Sequence, residues 1–152
     1  MKGSYILLLE LPEGNNIAVG RLGVLEFPPG FYAYVGSALG GLEARVGRHL
    51  RKDKRLHWHI DYLLCRANIS EAILLPGEQR LECSLAQALA RRFSFIPRFG
   101  SSDCQCQSHL FFEEDEERLR TGIARMLAEK GLFAKFAPIQ EADEGLLPNT
   151  RR

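Results

Sequence analysis

A chain of 152 residues with 45% hydrophobic content is long enough for one domain with an ordinary core. Its net charge of +1 implies no polyanionic partner by itself, so any such partner has to be argued from local charge. The opening MKGSYILLLELPEG, broken by Glu10, reads neither as a signal peptide nor as a membrane span, and four cysteines fit no secreted disulfide framework of this size. A reducing cytoplasm and no membrane partner are the expectation.

In chain order, Ser4–Leu11 is a strongly apolar strand and Glu13-Gly14-Asn15-Asn16 a turn. Ile17–Phe27 is a second strand with bends at Gly20 and Gly23, expected to form a hairpin with the first. Pro28-Pro29-Gly30 turns the chain into a third strand, Phe31–Gly36, completing a meander. A helix is expected from about Gly41 to Arg51, a shorter helical stretch over Trp58–Cys65 and a strand over Glu71–Leu75. The spacing of Leu85, Ala86, Leu89 and Phe93 predicts a helix over Glu82–Phe93. A last one is expected over Glu114–Lys130, closed by Gly131. Residues 1–139 read as one domain of the α/β or α+β class, a small antiparallel or mixed sheet flanked by helices. Residues 140–152 read as a flexible polar tail.

Charge is distributed unevenly. Arg45, Arg48, Arg51, Lys52, Lys54 and Arg55 face a single acid, Asp53, within eleven positions, a local excess of five. The run from Glu113 to Glu117 is acidic and suits a helix N-terminus. On the helix after the third strand, Leu42, Val46 and Leu50 form the apolar stripe, with Arg45 at its edge and His49 almost within it. Residues four apart stack on neighbouring turns, so Arg45 and His49 can reach one target. Gly36, Ser37, Gly40 and Gly41 offer backbone N–H groups where strand meets helix, either as a phosphate cradle or simply as a tight connection. His57 and His59 either line a substrate groove or belong to a helix capped by Asp61.

Taken together, Gly3-Ser4-Tyr5, Tyr34-Val35-Gly36, the Arg45-x3-His49 pair and Glu82 resemble, in that order, the motifs of the GIY-YIG nuclease superfamily. FPPGFYAYVGSALGGLEARVGRHLR, HWHIDYLL and FGSSDCQCQSHLFF are similar to a small prokaryotic branch of it, whose members are sometimes fused to endonuclease III-type glycosylases. The resemblance spans roughly residues 3–136. It implies a metal-dependent endonuclease acting on DNA or RNA in repair or processing, with Tyr5, Tyr34, Arg45, His49 and Glu82 as the catalytic set. Glu82 would hold Mg²⁺ or Mn²⁺, one phenol would stand near the attacking water, and Arg45 would pair with the phosphate. Gly36, Ser37, Arg48, Arg51, Lys52, Lys54, Arg55, His57 and His59 would contact nucleic acid, with a repair enzyme as a further partner.

Two features depart from that pattern. Tyr34 and Arg45 are one position further apart than the common spacing, and the Asn that many members carry after the metal-binding Glu has no counterpart before Asn149. Ser102 or His109 is the nearest replacement. The loop containing Ser102, Asp103, Cys104, Cys106 and His109 also offers three zinc-type ligands, which Cys83, His57 or His59 would complete. Buried free thiols packing that loop are the alternative. Two other functions stand beside the nuclease, a noncatalytic nucleic-acid-binding module on the same fold and a structural zinc-binding domain.

Overall fold

The strand GSYILLLEL, β1 (Gly3–Leu11), is buried along nearly its whole length, with Glu10 as its exposed residue. A strand covered on both faces needs hydrogen-bonded neighbours on both edges. It finds them in β4 (Gly30–Ala38) and β5 (Asn68–Pro76), both antiparallel to it. In the computed structural model, which describes residues 1–139, these three strands form the centre of a six-stranded antiparallel sheet. Its order is β6 (Ser94–Phe95), β7 (Leu110–Glu113), β4, β1, β5 and β8 (Lys135–Pro138). With four helices, α1 (Leu42–Leu50), α2 (His59–Leu63), α3 (Glu82–Ala90) and α4 (Glu116–Glu129), the fold is mixed α+β.

The meander expected from the sequence does not form. Ile17–Phe27 is not one strand paired with β1. It divides into β2 (Asn15–Ala18) and β3 (Val24–Phe27), which among the described residues pair only with each other, in a separate two-stranded sheet. Gly20 and Gly23 take positive φ of 48° and 82° around a 3-10 turn, which folds the segment back on itself. β6, β7 and β8 were not anticipated. The expected tail lies outside the described residues.

Alternation along the strands sorts the core into two layers. Tyr5, Leu7, Leu9, Tyr32 and Tyr34 point to one face, where α1, α2 and the β2–β3 hairpin cover them. Ile6, Leu8, Ala33 and Val35 point to the other, under α3 and α4. The acidic run starts α4 as expected, since the Asp115 side chain accepts the Glu117 N–H. Gly131, at φ 68°, follows its C-terminus.

Candidate functional site

The two tripeptides read differently once their register is known. Tyr5 lies opposite Gly36, and Ser4 opposite Ser37, across the β1–β4 ladder. A Cβ at residue 36 would sit 2.4 Å from Cζ and Oη of Tyr5, so only glycine leaves room for that ring. Gly3 allows an equally close approach, since a Cβ there would come 2.6 Å from the Leu75 carbonyl oxygen. Ser4 accepts a hydrogen bond from the Leu81 N–H at 3.2 Å, which fixes the residue before α3. Glu82, the first residue of that helix, is thereby placed at the end of β4, where the Ser37 hydroxyl donates to its Oε1 at 2.9 Å.

On the first face, Tyr5 Oη and His49 Nε2 are 2.7 Å apart, inside a buried cluster that includes Tyr34. The Tyr5 and Tyr34 ring centroids are 6.5 Å apart, and His49 lies 6.1 Å from Tyr34. Burial pushes both phenols far above the usual tyrosine range, and the nearby Arg45 guanidinium offsets this only in part. Burial also lowers His49 to about 3, helped by the positive charge of Lys54. At neutral pH the cluster therefore holds two neutral phenols and a neutral imidazole. The Nδ1 of His49 has no hydrogen-bond partner among the described residues.

Arg45 donates to the Ser37 carbonyl oxygen at 2.8 Å and lies 4.5 Å above Trp58, leaving further guanidinium donors for a ligand. Ser37 is thus the hinge between Arg45 and Glu82. Its carbonyl takes the guanidinium, and its hydroxyl gives to the carboxylate. The second Glu82 oxygen, Oε2, lies 2.9 Å from His109 Nδ1. Burial alone would raise the Glu82 carboxyl, but bonds from His109 and Ser37 outweigh it and hold the group below its ordinary value. Of the five residues expected from the resemblance, Arg45 and Glu82 are linked through Ser37, while Tyr5, Tyr34 and His49 form the neighbouring buried cluster. No hydrogen bond joins Glu82 to either phenol among the described residues.

The cations expected to grip nucleic acid separate into two groups. Arg48 forms a bidentate pair with the fully buried Asp61, at 2.8 and 3.0 Å, and also stacks on Trp58 at 4.2 Å. Lys54 donates to the Arg48 and His49 carbonyls at the C-terminal end of α1. Both are committed to the fold, whereas Arg51, Lys52 and Arg55 remain exposed. Asp61 also accepts the backbone N–H groups of His57 and Trp58, so the capping alternative describes this segment. The His57 side chain is exposed. His59 accepts the Gly100 N–H at 2.8 Å and holds the loop that flanks Tyr34.

Within that loop Ser102 and Asp103 are exposed, while Cys104, Cys106 and His109 turn inward. Cys83 joins them from the second position of α3, and the four ligand atoms lie within 4.8 Å of one another. This partly buried Cys3His group could hold a metal ion. It differs in kind from the oxygen ligands expected of magnesium, and its thiolate chemistry suggests zinc. His57 and His59 take no part in it. Sequence reasoning reached three of its members and left Cys83 as one of several completions. Proximity in space, not spacing in the sequence, selects Cys83 among them. Ser4 and Trp58 take supporting roles that neither hydroxyl nor indole announces without the register.

No curated protein and no solved structure matches the chain. A family model does match, over residues 4–132, which include every side chain described above. By that match the chain belongs to the family described as Domain of unknown function DUF123.

Proposed function

We propose that this protein hydrolyses phosphodiester bonds in nucleic acid, DNA first, as a divergent member of the nuclease superfamily its motifs resemble. The observation that carries the reading is the Tyr5–His49 bond of 2.7 Å beside Tyr34, with Arg45 and Glu82 brought to the same strand end by Ser37. The 2.7 Å hydrogen bond between Tyr5 Oη and the Nε2 of a neutral His49 fixes the phenol's position. The phenols act as positioned hydroxyls, because their raised pKa values bar them from serving as anionic bases at neutral pH. Arg45 supplies fork-shaped donors for a phosphate, held in aim by Ser37 and Trp58.

Glu82 fits one hydrated magnesium ion. It is an ionised carboxylate whose side chain is 20% exposed; Oε1 accepts one hydrogen bond, from Ser37, and Oε2 faces His109, leaving lone pairs free. Magnesium is commonly held by one or two carboxylates, with water and substrate phosphate completing its shell. When bound, the ion supplies Lewis acidity toward the phosphate. Arg51, Lys52 and Arg55 would hold the backbone without reading sequence. Repair or processing of nucleic acid is the setting this implies.

The enclosure of the phenols, Tyr5 at 1% and Tyr34 at 8% exposure, favours a second reading, a binding module that keeps the fold without the chemistry. A panel of flap, branched, damaged and single-stranded DNA and RNA, with and without Mg²⁺ or Mn²⁺, separates the two. Metal-dependent cleavage that disappears in Glu82→Ala and Tyr34→Phe while binding persists supports the enzyme. Cleavage that survives both substitutions sinks it, and binding without cleavage by the unaltered chain selects the module.

A further inference from the structure

We infer that Cys83, Cys104, Cys106 and His109 bind one zinc ion, and that Glu82 orients the histidine ligand. Three sulfurs and one imidazole nitrogen form a structural zinc donor set. Four ligands around a tetrahedral zinc, with Zn–S of about 2.3 Å and Zn–N of about 2.0 Å, place sulfur and nitrogen about 3.5 Å apart. The Cys104 Sγ to His109 Nε2 distance is 3.5 Å. All four cysteines of the chain are free thiols, so no disulfide competes for these sulfurs.

The tautomer follows from the other side of the ring. His109 Nδ1 lies 2.9 Å from Glu82 Oε2, close enough for an ion pair though not aligned as a hydrogen bond, so a proton on Nδ1 faces the carboxylate and leaves the Nε2 lone pair facing the thiols. A carboxylate holding a ligand histidine in this way is the common outer partner of a zinc site. Local chain geometry agrees. Residues 96–109 cross from β6 to β7 without helix or strand, with Arg98 at φ 64° and Gly100 at φ 72°, the length of irregular connection that is usually functional. A zinc would pin that loop to the first turn of α3.

The ion is thus a clamp behind Glu82, distinct from a divalent ion in front of it. It stands on its own ligands, and its test needs no substrate. The full chain is expressed in medium containing zinc and iron, purified under reducing conditions without added metal, and submitted to elemental analysis. About one zinc per chain is expected, falling sharply in Cys104→Ser/Cys106→Ser. Replacement by cobalt should give the visible absorption of a tetrahedral thiolate site, altered in His109→Ala. Competition with a chelator should show Glu82→Ala binding zinc about 10- to 100-fold more weakly than the unaltered chain. A chain free of metal, iron in place of zinc, or a disulfide linking Cys83 to the loop overturns the assignment, and a Glu82→Ala affinity equal to that of the unaltered chain overturns the orienting role. Because the first measurement is on the unaltered protein, a variant that fails to fold does not shelter the proposal.

Discussion

At residue 36 the chain tolerates no side chain, and the reason lies in the ring opposite. Tyr5 is 1% exposed and hydrogen-bonded to His49, so it cannot swing away from an added methyl group 2.4 Å from its phenol. Gly36→Ala should cost at least the ~1–3 kcal/mol typical of overpacking, measured by urea unfolding. A cost under about 0.5 kcal/mol would mean that the ring has another place to go. His49 carries a pH signature. Its folded pKa of about 3 lies below the ordinary 6.5, chiefly through burial and then the charge of Lys54, with Asp61 opposing. The unfolded chain therefore binds more protons between those values. Stability is complete above about pH 6.5 and is lost as pH falls toward 3, by about 2 kcal/mol at pH 5. His49→Gln should remove that share, so the difference between the two stability profiles should shrink on acidification; parallel profiles from pH 7 to 5 would show that His49 does not titrate this way.

Among the elements, α1 and α2 are joined by charge as much as by packing. Asp61 is fully enclosed and Arg48 is 20% exposed, so removing one partner strands a buried charge. Arg48→Ala should destabilise the fold by on the order of 3 kcal/mol, the lower end for a buried pair because of that partial exposure. A loss below about 1 kcal/mol would place the pair with ordinary surface bridges. Long periodic elements were legible in the sequence. The stripe of Leu42, Val46 and Leu50 gave α1, and Leu85, Ala86 and Leu89 gave α3. Short edge strands were not, because β6 has two residues and β7 follows directly on the cysteine loop, too little length for alternation to show. The hairpin expected between the first two strands followed sequence proximity. The near-continuous apolar run of β1 already marked a central strand, whose partners come from further along the chain. In the candidate site, Tyr5, Tyr34, Arg45, His49 and Glu82 were legible as an ordered set. The commitment of Arg48 to Asp61 was not, since composition shows a cation without its partner.

For the whole molecule, the cations left free set the expected behaviour toward a polyanion. Arg51, Lys52 and Arg55 are exposed, and none has a salt-bridge partner among the described residues. If they contact phosphates, duplex affinity should fall with salt along a log–log slope of about −3, largely independent of sequence. Fluorescence anisotropy at several salt concentrations measures it. Each single alanine substitution among the three should make the slope shallower by about 1, whereas Arg48→Ala should leave it unchanged in any fraction that remains folded. Equal effects from all four would mean that the ion pair with Asp61 opens on binding.

The Ser4–Ser37 pair has a consequence for how the molecule assembles. These two residues face each other on adjacent strands, and each holds the start of α3, one through the Leu81 N–H and the other through the Glu82 carboxylate. A slip of one residue between β1 and β4 would put the two hydroxyls on opposite faces of the sheet, so that at most one could reach the start of α3. The pair therefore works as a keyed joint, which only the native alignment closes. Correct docking of the helix proofreads the alignment of the two central strands, and a chain paired out of step does not assemble the candidate site.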